Sequence, residues 1–295
     1  WYGGTGATQV AQSLNMPGTF YDAPAPDPTT GMVELNWPTA YTVQTDGTWT
    51  SGVYLAAFFN VGGNSPIGYI IFVVRDDARP ADIVFQLPTA TYQAYNEWGG
   101  KSTYEYNSPG GRAYMVSYNR PYAQNDGTGL YLPGDYNMVR WLEREGYDVK
   151  YITSEDMENP NILNNVKVFL SNFHDEYWSW PMRDTVVNAR NQGVDAAWFT
   201  SNNMYWQIRY QNSSTGVPRR TIVCYKDAGL DPMANSATPY LTTVLFRDPP
   251  VNAPENEYLG TMFDTLMGYG EHRPWVVTNA GHWIYTATGL QNGDT

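Results

Sequence analysis

Two short runs, Asp82-Ile83-Val84-Phe85-Gln86-Leu87 and Val166-Lys167-Val168-Phe169-Leu170, are nearly continuous in apolar, β-prone residues instead of alternating with polar ones. A strand covered on one face alternates, whereas a strand covered on both reads as such a run, and that is the habit of parallel sheets. Parallel neighbours need crossovers, and helix signals fall where crossovers would be. Asp135 is placed to cap a helix over 138–145 that Gly146 closes, and a strand follows over 147–152. Pro181 opens a second helix that runs to Gln192 and stops at Gly193, followed by a strand over 196–200. This alternation predicts an α/β fold with a doubly wound parallel sheet over residues 77–295. Further strands are expected at 220–225, 242–246 and 275–277, with a helix over 259–266 and another after Asn279.

Residues 1–76 have a different period. Short alternating stretches at 32–37, 40–43, 52–59 and 68–74 are separated by Gly, Pro and Asn turns, which predicts part of an Ig-like β-sandwich with too few strands to be whole. The ends, Trp1-Tyr2-Gly3-Gly4 and Gly293-Asp294-Thr295, do not read as natural termini and are expected to be cut, processed or disordered.

Composition narrows the function. With 17 Lys and Arg against 29 Asp and Glu, a net charge of −12 leaves no basic footprint for phosphate, so nucleic acid is excluded as a partner. No apolar run reaches the roughly 20 residues that span a bilayer. The one cysteine, Cys224, stands in the β-prone run Thr221-Ile222-Val223-Cys224-Tyr225, which suits an inert buried thiol and not a nucleophile. Gly-x-Gly-x-x-Gly, the P-loop and Gly-x-Ser-x-Gly are all absent, which disfavours a dinucleotide, a nucleotide and a serine elbow.

What remains is a pair of motifs, each following an apolar strand: Tyr92-Gln93-Ala94-Tyr95-Asn96-Glu97-Trp98-Gly99-Gly100 and His174-Asp175-Glu176-Tyr177-Trp178-Ser179-Trp180. The carboxyl ends of strands are where open α/β sheets bind ligands. His174 and Glu176, two apart in extended chain, share a face. A solvated turn explains most such triplets, but here Trp98, Trp178 and Trp180 are available to wall a pocket. With only three histidines, His174, His272 and His282, a histidine-rich zinc site is excluded, while a set of His174, His282 and Glu176 stays open.

These motifs, with Ser51-Gly52-Val53-Tyr54, Tyr69-Ile70-Ile71-Phe72-Val73-Val74-Arg75-Asp76, Asn137-Met138-Val139-Arg140-Trp141-Leu142-Glu143 and Thr278-Asn279-Ala280-Gly281-His282-Trp283, resemble the N,N-dimethylformamidase large (beta) subunit family in its C-terminal, amidotransferase-like domain. The resemblance runs over essentially the whole chain and implies a flavodoxin or class I amidotransferase-like sheet. It further implies one ferric ion held by two tyrosines and a glutamate, which match Tyr54, Tyr95 and Glu176 here. A hard trivalent cation suits anionic oxygen donors. The implied reaction is Lewis-acid hydrolysis of a C–N bond in a small, formamide-like amide, with His174 as general acid and base. Asn96, Trp98 and Trp178 would then line the substrate pocket.

Relatives acting on dimethylformamide carry a separate small helical subunit, so a multi-subunit assembly or homo-oligomer is expected. A competing expectation is a non-catalytic, secreted or surface-exposed binding or assembly protein that keeps the fold. Its aromatic-rich surface, with 24 Tyr and 11 Trp, would serve as a platform for sugars or protein. A cytoplasmic location is the alternative to a secreted one.

Overall fold

The stretch from Gly47 to Val74 carries no charged residue, and most of it forms one antiparallel ribbon in the computed structural model. Strands β1 (Gly52–Phe59) and β2 (Pro66–Val74) pair with Tyr54 opposite Phe72 and Val53 opposite Val73. Alternation sends Val53, Ile71 and Val73 inward and leaves Ile70 and Phe58 exposed. The structure describes residues 7–13, 15–266, 268, 271 and 273–295. Two compact units divide it, Trp1–Met262 and Phe263–Thr295.

Beyond the ribbon the elements run β3 (Ala81–Leu87), α1 (Thr89–Tyr95), β4 (Met115–Ser117), α2 (Tyr136–Arg144), β5 (Val149–Thr153), β6 (Val166–His174), β7 (Tyr177–Ser179), α3 (Trp180–Asn191), β8 (Asp195–Ser201), β9 (Trp206–Gln211), β10 (Thr221–Val223) and α4 (Asn256–Leu259). A parallel sheet forms in the order β5-β3-β6-β8. The chain therefore winds one way from β3 to β5 and the other way from β6 to β8. Between β3 and β6 the winding reverses, and the crevice at that reversal is where such sheets hold ligands.

The apolar runs that predicted this sheet are buried on both faces. Val84, Ile152 and Phe169 pack on one side with Met182 and Val186 of α3, while Phe85, Tyr151 and Leu170 pack on the other with Val139 and Leu142 of α2 and the ribbon. A second sheet, β4-β10-β9-β7, is antiparallel except where β7 meets β9. Helix α1 packs on it through Ala90 and Ala94, both wholly buried, against Val116, Ile208 and Ile222. Small side chains on that face allow a close approach.

Several expectations need correction. Residues 32–37 and 40–43 form no strand. Their alternation does bury Val33 and Leu35, but as isolated anchors, with Leu35 N–H donating to Asn119 O at 2.8 Å in place of a ladder. Residues 242–246 contribute only a bridge from Leu245 to Trp206. In the second unit, Val277 exchanges hydrogen bonds with Gly293 and Asp294 but starts no strand. The helix expected over 259–266 is instead the single turn α4, which ends at Leu259 because Gly260 takes a left-handed conformation. After Asn279 there is one 3-10 turn, Trp283–Tyr285. Among the described residues no helix is long and apolar enough to cross a membrane.

Helices α2 and α3 arise as anticipated, with one change of role. Asp135 stands at the start of α2, yet its carboxylate caps nothing. A π-helical turn, Tyr131–Asp135, runs straight into α2, and the Asp135 oxygens accept from the Tyr92 hydroxyl and from Asn172 Nδ2. Ser179 caps α3 by accepting from Met182 N–H at 3.3 Å.

Candidate active site

Strand β6 leaves the parallel sheet at His174, and β7 enters the second sheet at Tyr177. The two residues between them, Asp175 and Glu176, lie at the carboxyl end of β6 beside the reversal of winding. From the other side of that crevice, after β3, helix α1 presents its last residue, Tyr95. The side chains meet on one atom. Glu176 Oε2 accepts from the Tyr95 hydroxyl at 2.7 Å and the Tyr104 hydroxyl at 2.9 Å, and lies 3.1 Å from His174 Nε2.

The surroundings set the proton positions. His174 Nδ1 sits 3.2 Å from Ser201 O, a pure acceptor, so Nδ1 carries a hydrogen. A hydrogen bond from Nε2 to Glu176 then requires the imidazolium. Burial alone would lower the His174 pKa, but the hydrogen bond and charge of Glu176 prevail and raise it. For Glu176, burial works upward, while the His174 hydrogen bond and charge, the Tyr95 hydroxyl and the Lys226 charge hold it below the usual carboxylate range. Burial and the Glu176 charge push both Tyr95 and Tyr104 well above an ordinary phenol.

A chain of hydroxyls reaches back from this centre. Lys226 Nζ donates to Tyr177 OH at 2.7 Å, Tyr177 OH donates to Tyr104 OH at 2.6 Å, and Tyr104 OH donates to Glu176. The same ammonium lies 3.6 Å from the centre of the Tyr104 ring, a cation–π contact. Burial lowers the Lys226 pKa to about 8.

Among the described residues no group of three or more His, Cys, Asp and Glu is placed to hold a metal ion, so a metal here would depend on phenol oxygen. The family model for the N,N-dimethylformamidase beta subunit-like C-terminal region matches residues 1–295. The chain belongs to that family. Two curated relatives are similar to it: the N,N-dimethylformamidase beta subunit of Paracoccus aminophilus, 27% identical over 121 residues, and that of Alcaligenes sp, 28% identical over 118. Those stretches cover 38% and 37% of this chain and 16% of each relative's own length.

In this N,N-dimethylformamidase-like chain the anticipated residues fall in several places. Tyr95, His174 and Glu176 come together. Tyr54 makes its contacts elsewhere: on β1 its hydroxyl donates to Thr50 O at 2.8 Å and its ring stacks on Trp49 and Phe72. Asn96 is wholly buried and locks the loop after α1. It donates to Gln93 Oε1 and Pro121 O and accepts from the N–H groups of Trp98 and Ala123. Trp98, half-buried beside it, meets Trp37 edge-on at 6.1 Å.

Trp178 has no ring surface open to solvent. It packs on Phe169 and Trp198 and donates from Nε1 to Asp175 O at 2.9 Å, so it supports the site from behind. Trp180 is half-buried against Tyr240 and Phe246. His282 belongs to the second unit, where its Nδ1 accepts from Ile284 N–H. His272 and Trp1-Tyr2-Gly3-Gly4 lie outside the described residues. Cys224 is wholly buried and its thiol is pushed up to about 11, as an inert core residue would be.

Tyr104, Lys226 and Arg120 were not singled out from the sequence. Buried Arg120 clamps the 96–101 loop by donating to the carbonyls of Asn96, Trp98 and Lys101. Lys226 is one of only four lysines and directly follows Tyr225 and the apolar run before it, which was the available signal.

Asp135 gives a test of the site's supports. Burial pushes its carboxyl up to about 7, against the pull of its Tyr92 and Asn172 hydrogen bonds. Unfolded Asp titrates near ~3.9, so this group's stabilising contribution is full below about pH 4 and is lost as pH rises through 7. Asp135→Asn keeps the shape, accepting from Asn172 and donating to Tyr92. It is expected to stabilise the protein at pH 8 by on the order of 2–4 kcal/mol, with the gain vanishing near pH 4. Thermal melts of both proteins across that range check the slope; a pH-independent difference would show that Asp135 does not titrate as placed.

Proposed function

We propose that this chain is the metal-binding part of a mononuclear-iron amidohydrolase that cleaves the C–N bond of a small, formamide-like amide. The observation that carries the reading is the convergence of Tyr95, Tyr104 and His174 on a single oxygen of Glu176 at the reversal of winding. Tyr95 and Glu176 would hold the ferric ion, with a second phenol from Tyr104 or, after the family resemblance, Tyr54. An all-oxygen set of one carboxylate and two phenols suits a hard trivalent cation. Two buried phenols beside an anion ionise only against a compensating positive charge, which also fits. When bound, the iron would supply Lewis acidity toward the amide carbonyl.

The chain's own groups would do the rest. His174, fixed by Ser201, holds a proton at Nε2 and gives it to the departing amine nitrogen, while water adds to the carbonyl carbon in place of that nitrogen and the proton it releases restores Nε2–H. Lys226 orients the Tyr177 and Tyr104 hydroxyls and adds positive charge where the carbonyl oxygen becomes negative. The strand order and reversal support reading the parallel sheet as flavodoxin or class I amidotransferase-like, and β1 with β2 as part of an Ig-like sandwich. Both relatives are named as beta subunits, which supports a multi-subunit assembly.

Metal analysis and a visible spectrum of natively purified protein test this. Stoichiometric iron with a phenolate-to-iron band is expected, and Tyr95→Phe should weaken that band. Comparing Tyr54→Phe with Tyr104→Phe identifies the second phenol. Protein purified without iron that also shows no gain of the band on ferric reconstitution would sink the metal reading.

A further inference from the structure

Phe173 holds a left-handed backbone, with φ 61°, a conformation that bulky residues avoid. Such strain persists only where the surroundings over-determine it. Core packing does not account for it, because Phe173 is 40% exposed. Fraying does not either, since β6 stays paired with β8 through Phe173 opposite Thr200 and His174 opposite Ser201.

The support comes from the π-helical turn Tyr131–Asp135. Gly134 lies so close beneath the aromatic ring that a Cβ there would clash with it. On the residue before, Asn172 Nδ2 donates to Asp135 Oδ1 at 3.0 Å, and the Tyr92 hydroxyl holds the other Asp135 oxygen. On the residue after, His174 turns Nδ1 to Ser201 O and Nε2 to Glu176 and Tyr95.

We infer that Gly134 and Phe173 form a latch that positions His174. The missing Cβ of Gly134 admits the ring, the ring and the Asn172–Asp135 bond hold Phe173 left-handed, and that residue turns the imidazole onto Glu176. This rests on the reading of His174 as the proton carrier and assigns positioning roles to residues outside the cluster.

Gly134→Ala in the full chain tests it. The crystal structure of the variant is expected to show His174 withdrawn from hydrogen-bond distance of Glu176, with iron content unchanged. Amide turnover should lose roughly 10–100-fold in kcat with KM within about twofold, the cost of misplacing a reacting group by about 1 Å. Gly134→Ala combined with Phe173→Gly removes the clash and leaves a residue at ease with positive φ. It should recover the His174 position and at least about tenfold in kcat over Gly134→Ala alone.

If His174 still meets Glu176 in Gly134→Ala, or if the double variant recovers nothing, the latch is overturned. Should Gly134→Ala fail to fold, Phe173→Ala alone gives the structural readout: it removes the ring that the latch holds but keeps a Cβ that disfavours positive φ, so His174 should again be withdrawn, and an unmoved His174 there overturns it as well. Withdrawal of His174 in a protein whose parent turns over no amide would leave the latch standing and remove the proton-carrier reading.

Discussion

Glu176→Gln is expected to abolish stoichiometric iron and to cut amide turnover by more than about a hundredfold while the chain stays folded. Changing a residue that merely supports a metal ligand typically costs 10–100-fold, and on the proposed iron reading Glu176, whose Oε2 meets Tyr95, Tyr104 and His174, would be a ligand itself, so its loss should cost more. Its side chain is 4% exposed. Glutamine keeps the shape and one acceptor oxygen for Tyr95 and Tyr104, but it removes the negative charge that favours the His174 imidazolium.

Breaking a buried ion pair from one side is costly when the other charge must stay. Here it need not stay, because His174 can release its proton. The stability loss is therefore expected to be small beside the functional one. Metal content, kcat/KM and a thermal melt of the variant separate these effects. Retention of full iron and full turnover would remove Glu176 from the site altogether.

Trp178→Ala is expected to cost about 3–5 kcal/mol of folding stability, the range for truncating a large buried aromatic. The ring is enclosed by Phe169 and Trp198, and its Nε1–H satisfies the carbonyl of Asp175. Loss of that donor frees the residue directly before Glu176, so the damage should reach the site as well as the core. Trp178→Phe keeps much of the ring packing and drops the donor, for roughly 1–3 kcal/mol. Urea unfolding of the three proteins gives the comparison. A loss under about 1 kcal/mol for the alanine variant would mean that the ring does not hold the core together as described.

The sequence showed the parallel sheet clearly where strands are covered on both faces. Runs such as 82–87 and 166–170 are apolar apart from Asp82, Gln86 and Lys167, too few polar positions to mark a strand covered on one face, and Pro181 with Gly193 brackets α3 by local chemistry alone. Helix α1 was less legible. Its seven residues include two tyrosines and two threonines, poor helix formers, and six of the seven are buried, so no polar face marks a helical period. Its conformation comes from tertiary packing on Val116, Ile208 and Ile222.

The site followed the same division. His174 and Glu176 stand at a strand end and Tyr95 at the end of the short helix that follows another, so they could be picked out, whereas Tyr104 and Lys226 arrive from loops whose placement depends on the second sheet. Tryptophan presented the converse difficulty. A Trp beside an acid reads as a pocket wall in either case, and only the packing shows that the Trp178 ring is enclosed.

The two-residue passage from β6 to β7 has a consequence for how the protein reaches its working form. His174 ends one sheet and Tyr177 begins the other, while Tyr95 bonds to Glu176 and Lys226 to Tyr177 within that passage. Neither sheet forming by itself would assemble the cluster. The site is therefore complete only when both sheets are in place, and a chain with one of them missing is a bystander to the chemistry.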